Sequence, residues 1–279
     1  MAINMSLIPE FFEQHWVNGI PSTHIDVRDR GLQYGHGVFE TVVIKDGEPK
    51  LWSYHAKRLR SGLQLLGISF DIEPLVCFIY ALAVKLEHCI LKVTVTAGCA
   101  DRGYAYISGK PTSLVSAYAP VCFNQARQQG FSSFFCAHRL SASYFSAIKH
   151  LNRLESVMAA SECKEKGYDE GLLLSYEGCL IEGIRTNLFI RSGNTWLTPD
   201  LSLHGVKGVM RALVMSILDK QGIKVVESAI DYKTIALAQE FFCCNSVMGI
   251  VPFVTCEQIS FDIGQTTREL QQLTQDYVF

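Results

Sequence analysis

The sequence has no basic excess, no C-x-x-C pair and no long apolar run, and each absence removes a class of function. Its 279 residues carry a net charge of −2, with 48% hydrophobic and 19% charged residues. That is a globular profile, and it makes nucleic acid a poor partner. The longest apolar run, LVCFIYALAV at 75–84, is too short to cross a bilayer and reads as a buried helix. No Lys or Arg precedes Arg28, so the charged region that opens a secretory signal is missing. A soluble cytoplasmic protein is expected, with no membrane or nucleic-acid partner. The ten cysteines are scattered, mostly in apolar segments such as EFFCCNS, and suit reduced core thiols better than a disulfide framework or a zinc site. The eight histidines pair with no Cys or His at ligand spacing, so no metal is expected. Repeats and low-complexity tracts are also missing.

What is present is an alternation of strand and helix patterns. The stretch VFETVVIKDGEPKLW at 38–52 places strand residues on both sides of a DG turn, a hairpin signal. SYHAKRLRSGLQLLGI follows with helical spacing and Ser53 as its expected N-cap. A second helix is predicted over about 73–87, then strands at ILKVTVTAG and LVSAYAPV. The polar stretch NQARQQG at 124–130 breaks the apolar pattern as a linker would. The expected organisation is an N-terminal α/β domain at 1–120, an interdomain linker at 121–130 and a C-terminal domain at 131–279. In that last part the pattern predicts a strand at FSSFFCAH, then a helix that the Lys149 region leads into and that runs to about 167. Strands follow around GLLLS and NLFIRSGNTWLTP, then a helix from Gly208 to Lys220, a strand at IKVVESA, a short helix near 232–239 and a strand at EFFCCNS. The fold class is α/β (α+β), two halves rich in antiparallel hairpins with helices outside the sheets.

Four features could carry chemistry. Lys149 follows Tyr144, Phe145, Ala147 and Ile148 and precedes His150 and Arg153; such a cluster suits the polar side of a helix start, or a desolvated amine able to hold a carbonyl compound as a Schiff base. Glu182, in CLIEGIRTNLF, is a carboxylate between strand-like segments, either a surface turn residue or a charge with a partner. The HGVKGVMRALV stretch at 204–214 opens a helix with glycines, and the outward amides of Gly208, Val209 and Met210 make a ready anion site. Arg58, in HAKRLRSGL, borders an apolar stripe, where it is a solvated helix arginine or a phosphate clamp. An amine, a buried carboxylate and a phosphate cradle are the three contacts that pyridoxal phosphate requires. Thr41, two residues along the strand from Phe39, shares that residue's face. Arg102, in the tight DRGY turn, has a guanidinium able to hold a carboxylate bidentately, or is a solvated loop arginine.

The segments WVNG (16–19), DRGLQYGHGVFET, HAKRL, IKHLNRLE, EGIRTNLF, GVKGVMR and CNS (244–246) occur in this order. With them the chain resembles the fold-type IV pyridoxal-phosphate enzymes, which include branched-chain and D-amino-acid aminotransferases and aminodeoxychorismate lyase. IKHLNRLE and DRGY are similar to the aminodeoxychorismate lyase group in particular. The resemblance implies a two-domain, D-amino-acid-aminotransferase-like fold with pyridoxal 5'-phosphate in the cleft between the domains, the C-terminal domain binding the cofactor, and a homodimer whose partner completes the pocket. It assigns Lys149 to the aldehyde and Glu182 to the pyridine nitrogen, both catalytic, with Arg58, Asn187, Val209, Met210 and Ser246 as further cofactor contacts. Thr41 and Arg102 are the substrate candidates. The implied reaction converts 4-amino-4-deoxychorismate, a small molecule, to 4-aminobenzoate and pyruvate in folate synthesis. A D-amino-acid or branched-chain aminotransferase is the alternative within the fold, and a catalytically silent binding protein the alternative outside it. Two positions depart from the family pattern: His36, where Asp is usual, and Arg185, where a small residue is usual.

Overall fold

The computed structural model describes residues 13–279; residues 1–12 of the expected N-terminal domain lie outside them. The chain separates into two units. One runs to Val121 and takes in Lys149–Asn152; the other comprises Cys122–Ile148 and Arg153–Phe279.

The first unit contains β1 (Glu13–Val17), β2 (Ile20–Pro21), α1 (Arg30–Tyr34), β3 (Gly37–Lys45), β4 (Glu48–Pro49), α2 (Trp52–Leu65), α3 (Glu73–Leu86), β5 (Cys89–Cys99) and β6 (Lys110–Tyr118). Its sheet has the order β2-β1-β6-β5-β3-β4, antiparallel throughout. The DG turn closes the β3–β4 hairpin with Asp46 and Gly47 both at positive φ, 56° and 74°, the backbone a two-residue turn of this twist needs. Helix α2 starts at Trp52 after Leu51 in the left-handed region, with no side-chain cap, so Ser53 lies inside the first turn and is not the N-cap. Leu51 is buried, and the apolar anchor sets the helix start where a hydroxyl was expected to. The apolar run at 75–84 buries Leu75, Ile79, Leu82 and Ala83 and exposes Tyr80 and Val84, one face of α3 against the sheet.

The second unit contains α4 (Asn124–Gln129), β7 (Phe131–Leu140), α5 (Leu154–Lys166), β8 (Glu170–Ser175), β9 (Leu180–Gly183), β10 (Asn187–Ser192), β11 (Thr195–Pro199), α6 (Val209–Lys220), β12 (Lys224–Ser228), α7 (Tyr232–Ala236), β13 (Glu240–Asn245), β14 (Gly249–Cys256), β15 (Ile259–Ser260), α8 (Gln265–Thr274) and a 3-10 turn at Gln275–Tyr277. Its sheet runs β12-β11-β10-β13-β14-β7-β8-β9, with β15 on β14. The β7–β8 and β11–β12 pairs are parallel, and α5 and α6 make their crossovers, since a parallel pair needs a long connection. Leu172, Leu188, Ile190, Phe241, Cys243, Val251 and Phe253 form the core. The polar stretch expected as a linker is the helix α4: Arg268 and Gln271 donate to the Arg127 carbonyl at 2.7 and 2.8 Å, which gives an otherwise unpatterned segment a fixed shape. All ten cysteines are free. Burial pushes the Cys244 thiol up to about 12, which keeps it protonated and inert. Among the described residues no helix is long and apolar enough to cross a membrane.

The β5–β6 ladder shifts register between Thr96 and Cys99, a bulge that admits one extra residue in β5. Gly98 makes it possible: its φ is 69°, and a Cβ there would lie 1.6 Å from the Lys110 carbonyl oxygen. Gly98→Ala is expected to cost more than about 2 kcal/mol in urea unfolding, whereas alanine at the open Gly67 costs less.

Candidate active site

Lys149 does not lie at a helix start. The segment 149–152 is extended and zipped to the beginning of β3: the Phe39 N–H donates to the Lys149 carbonyl at 2.9 Å and the Leu151 N–H to the Gly37 carbonyl at 3.0 Å, with Val38 bridged to His150. Helix α5 begins only at Leu154, after a segment whose Leu151 amide and Lys149 carbonyl are already committed to β3. Glycines admit this close approach. A Cβ at Gly37 would lie 2.6 Å from the Val95 carbonyl oxygen and 2.8 Å from Leu151, and one at Gly35 2.2 Å from the Asn152 amide oxygen. The Lys149 amine lies 4.4 Å from the centroid of the Phe39 ring, so an aromatic face borders it. Thr41 stands on the same face of β3 as Phe39, half-buried.

A second cluster lies in the other unit. Glu182 on β9 is buried, 6% exposed, and its Oε2 accepts the Val206 N–H at 2.8 Å. The Val206 carbonyl in turn accepts the Asn187 side-chain amide at 2.8 Å. Val206 is fixed by Ala147 beside it: the Ala147 N–H donates to the Gly205 carbonyl at 2.9 Å and the Lys207 N–H to the Ala147 carbonyl at 3.1 Å. Ala147 sits at φ 70°, a conformation that costs a non-glycine residue of order 1 kcal/mol. Helix α6 opens immediately after, with Gly208 as an extended N-cap and no side-chain cap bond. A Cβ on Gly208 would meet the Asn187 side-chain oxygen at 2.0 Å. Glu182 and Asn187 are therefore tied together through the backbone of one residue, Val206, three positions before α6 begins at Val209 and Met210. Ser246 occupies the β13–β14 turn, which Asn245 orders by accepting the Val247 and Met248 amides at 2.9 and 2.8 Å and donating to the Arg185 carbonyl at 3.2 Å.

Arg58 is not a solvated helix arginine. Its side chain is 12% exposed, and its Nε and Nη2 donate to the two oxygens of Glu40 at 2.8 and 2.5 Å. His55 Nδ1 lies 2.6 Å from the same carboxylate. Burial works to raise the Glu40 pKa, but the Arg58 charge and the hydrogen bonds outweigh it and hold the group at about 2. Burial lowers the pKa of His55, against the pull of Glu40. Arg102 is exposed in the loop that joins β5 to β6. Glu40 and His55 were missed by the sequence analysis, although a carboxylate inside VFETVV carries the same signal that singled out Glu182.

The Amino-transferase class IV family model matches residues 37–256. The chain belongs to that family. It is 31% identical over 264 residues to an aminodeoxychorismate lyase of Vibrio harveyi, covering 92% of this chain and 97% of the relative. It is 25% identical to a D-alanine aminotransferase of Bacillus licheniformis, over 84% of this chain and 83% of the relative. Among solved structures, a 4-amino-4-deoxychorismate lyase from Pseudomonas aeruginosa superposes with a TM-score of 0.91 at 35% identity, covering 94% of this chain and 98% of that one. The mixed α/β architecture is the fold of this family.

The Arg185 departure has a structural counterpart in Glu170, also missed from sequence. Glu170 is 1% exposed, and its carboxylate accepts the Gly171 and Ile184 amides and the Thr186 hydroxyl at 3.2, 3.0 and 3.3 Å. Arg185 Nε lies 3.8 Å away. Burial dominates and pushes the pKa up to about 7, although Arg185 and the three hydrogen bonds pull the other way. A raised carboxyl pKa gives stability that is full below the unfolded value of about 4.5 and is lost as pH rises through about 7. Wild type should therefore lose up to about 3 kcal/mol relative to Glu170→Gln between pH 5 and pH 8.5, read as a pH-dependent difference in urea midpoint. Parallel profiles would show that Glu170 stays ionised throughout.

Proposed function

We propose that this chain is a pyridoxal-phosphate-dependent lyase that converts 4-amino-4-deoxychorismate to 4-aminobenzoate and pyruvate, acting in the cytoplasm as a homodimer. The observation that carries the reading is the route of the chain through Ala147: two residues before Lys149, it is hydrogen-bonded to the peptides on either side of Val206, the residue that holds Glu182 and Asn187. One strap thus carries the amine and braces the carboxylate.

The residues fit the cofactor by their chemistry. Lys149 offers a primary amine against the Phe39 ring. Glu182 offers a buried carboxylate, which suits a protonated ring nitrogen. The glycine-led start of α6, without a side-chain cap, offers the Val209 and Met210 amides to a phosphate. Arg58, its plane set by Glu40, supplies the balancing charge. Asn187 and the Ser246 turn complete the set. When bound, the cofactor supplies an electron sink for the carbon that bears the substrate amine. Lys149 then acts as the base that takes the proton from that carbon, and Glu182 keeps the ring nitrogen protonated. Arg102 receives a substrate carboxylate and Thr41 lines the pocket beside Phe39. Loss of the enolpyruvyl group leaves an aromatic ring, which drives the step forward.

The homodimer is supported by Leu154, Val157 and Met158, exposed at 70%, 57% and 45% and spaced as one stripe of α5, an apolar patch that a second copy would cover. A reducing compartment suits the exposed free thiols of Cys77 and Cys122.

Purified protein given aminodeoxychorismate is expected to form 4-aminobenzoate far faster than it moves amino groups from D-alanine or L-leucine to 2-oxoglutarate; the reverse ranking assigns it as an aminotransferase. Borohydride reduction and peptide mapping should place the cofactor on Lys149 and not on Lys92 or Lys164. Glu182→Gln should keep the fold and cofactor yet slow turnover on the order of a hundredfold. Arg58→Lys, which retains the charge beside Glu40 but loses the fork, should weaken cofactor affinity roughly tenfold or more, measured by absorbance titration.

A further inference from the structure

We propose that Arg30, seated on His36, is a positioning residue for substrate capture, because it holds the loop between β5 and β6 that carries Arg102. The inference rests on the reading of Arg102 as a substrate contact. Arg30 is only 4% exposed, and its hydrogen bonds run to the Gly103 carbonyl at 2.8 Å, the Tyr104 carbonyl at 2.9 Å and His36 Nδ1 at 3.4 Å. Its guanidinium lies 4.7 Å from the Tyr34 ring centroid and 5.4 Å from that of Tyr106. A buried cation satisfied by neutral acceptors and ring faces is costly to maintain, and here it clasps the two peptides that follow Arg102. The loop does little to anchor itself: Tyr104 and Ile107 are 89% and 97% exposed. With the clasp closed, the position of the Arg102 backbone is set from below by α1.

His36 completes the clasp. Its Nε2 lies 2.9 Å from the Leu66 carbonyl, which can only accept, so Nε2 carries the hydrogen and Nδ1 is the acceptor for the Arg30 Nε–H. The Tyr106 ring stands edge-on to it at 4.9 Å. Without the imidazole the Arg30 Nε–H loses its acceptor.

The test measures KM, kcat and the cofactor spectrum of holoenzyme, together with tryptic cleavage after Arg102, all at pH 8, for wild type, Arg30→Gln, His36→Ala and Arg102→Ala. The expected result for Arg30→Gln is a KM raised about tenfold with a smaller change in kcat, an unchanged spectrum and faster cleavage after Arg102. His36→Ala, which removes only the acceptor for Nε, should move KM and cleavage in the same direction by less. Wild-type cleavage and KM in Arg30→Gln would overturn the proposal. Should Arg30→Gln fail to fold, wild-type cleavage and KM in His36→Ala would overturn it instead. An unaltered KM in Arg102→Ala, beside accelerated cleavage in Arg30→Gln, would show instead that Arg102 is not the substrate contact.

Discussion

A carboxylate taken out of water needs donors, a cation or a proton, and the way four buried glutamates meet that need organises much of this molecule. Glu40 takes Arg58 and His55. Glu240 takes Arg191 together with the amide and hydroxyl of Thr267, which ties β13 to the start of α8. Glu170 draws on backbone amides, a hydroxyl and a distant guanidinium, and its pKa rises toward neutrality instead. Glu182 draws the Val206 amide onto one oxygen. Elements that apolar packing alone would leave free to slide are pinned at points where only one geometry satisfies a charge.

The candidate site uses the same device at closer range. Gly35, Gly37, Gly205 and Gly208 stand where any side chain would collide with Asn152, Leu151, Glu182 or Asn187, so main chain can lie against its neighbours and the backbone of a single residue can serve more than one of them. Val206 is the clearest case: its N–H supports Glu182 and its carbonyl supports Asn187. Such a residue transmits position through its main chain, a property that suits a site in which reacting atoms must be held within fractions of an ångström.

Much of this was legible from the residues, and the misses have physical causes. The DG hairpin, α3 and α6 follow from turn chemistry and apolar spacing, which are local signals. The resemblance in IKHLNRLE and EGIRTNLF pointed to the family that the comparisons support. The helix expected after the Lys149 region is α5, but the strand-like pairing of residues 149–151 was not legible, because its backbone partners, Gly37 and Phe39, are over a hundred residues away in the chain, and pairing at that distance leaves no local trace. The linker expectation at 124–130 missed α4 for a related reason, since the arginine that fixes its shape, Arg268, belongs to a distant helix. Glu40 was within reach, a charge inside an apolar strand, the argument already applied to Glu182; Glu170 opens its strand beside Asp169, where a charge gives no such signal.

Residues 149–152 are synthesised after the first 27 residues of the second unit's chain, Cys122–Ile148, yet they belong to the first unit. On the ribosome, a chain ending at Val121 has not yet made the segment that borders Gly37 and Phe39, so the N-terminal sheet must wait with that edge incomplete until Asn152 has emerged. Domains in most proteins mature in the order in which they are translated. Here the amine-bearing strap makes the earlier unit depend on the later chain, and the two cannot be parted by any single cut without taking Lys149 from the strand that positions it.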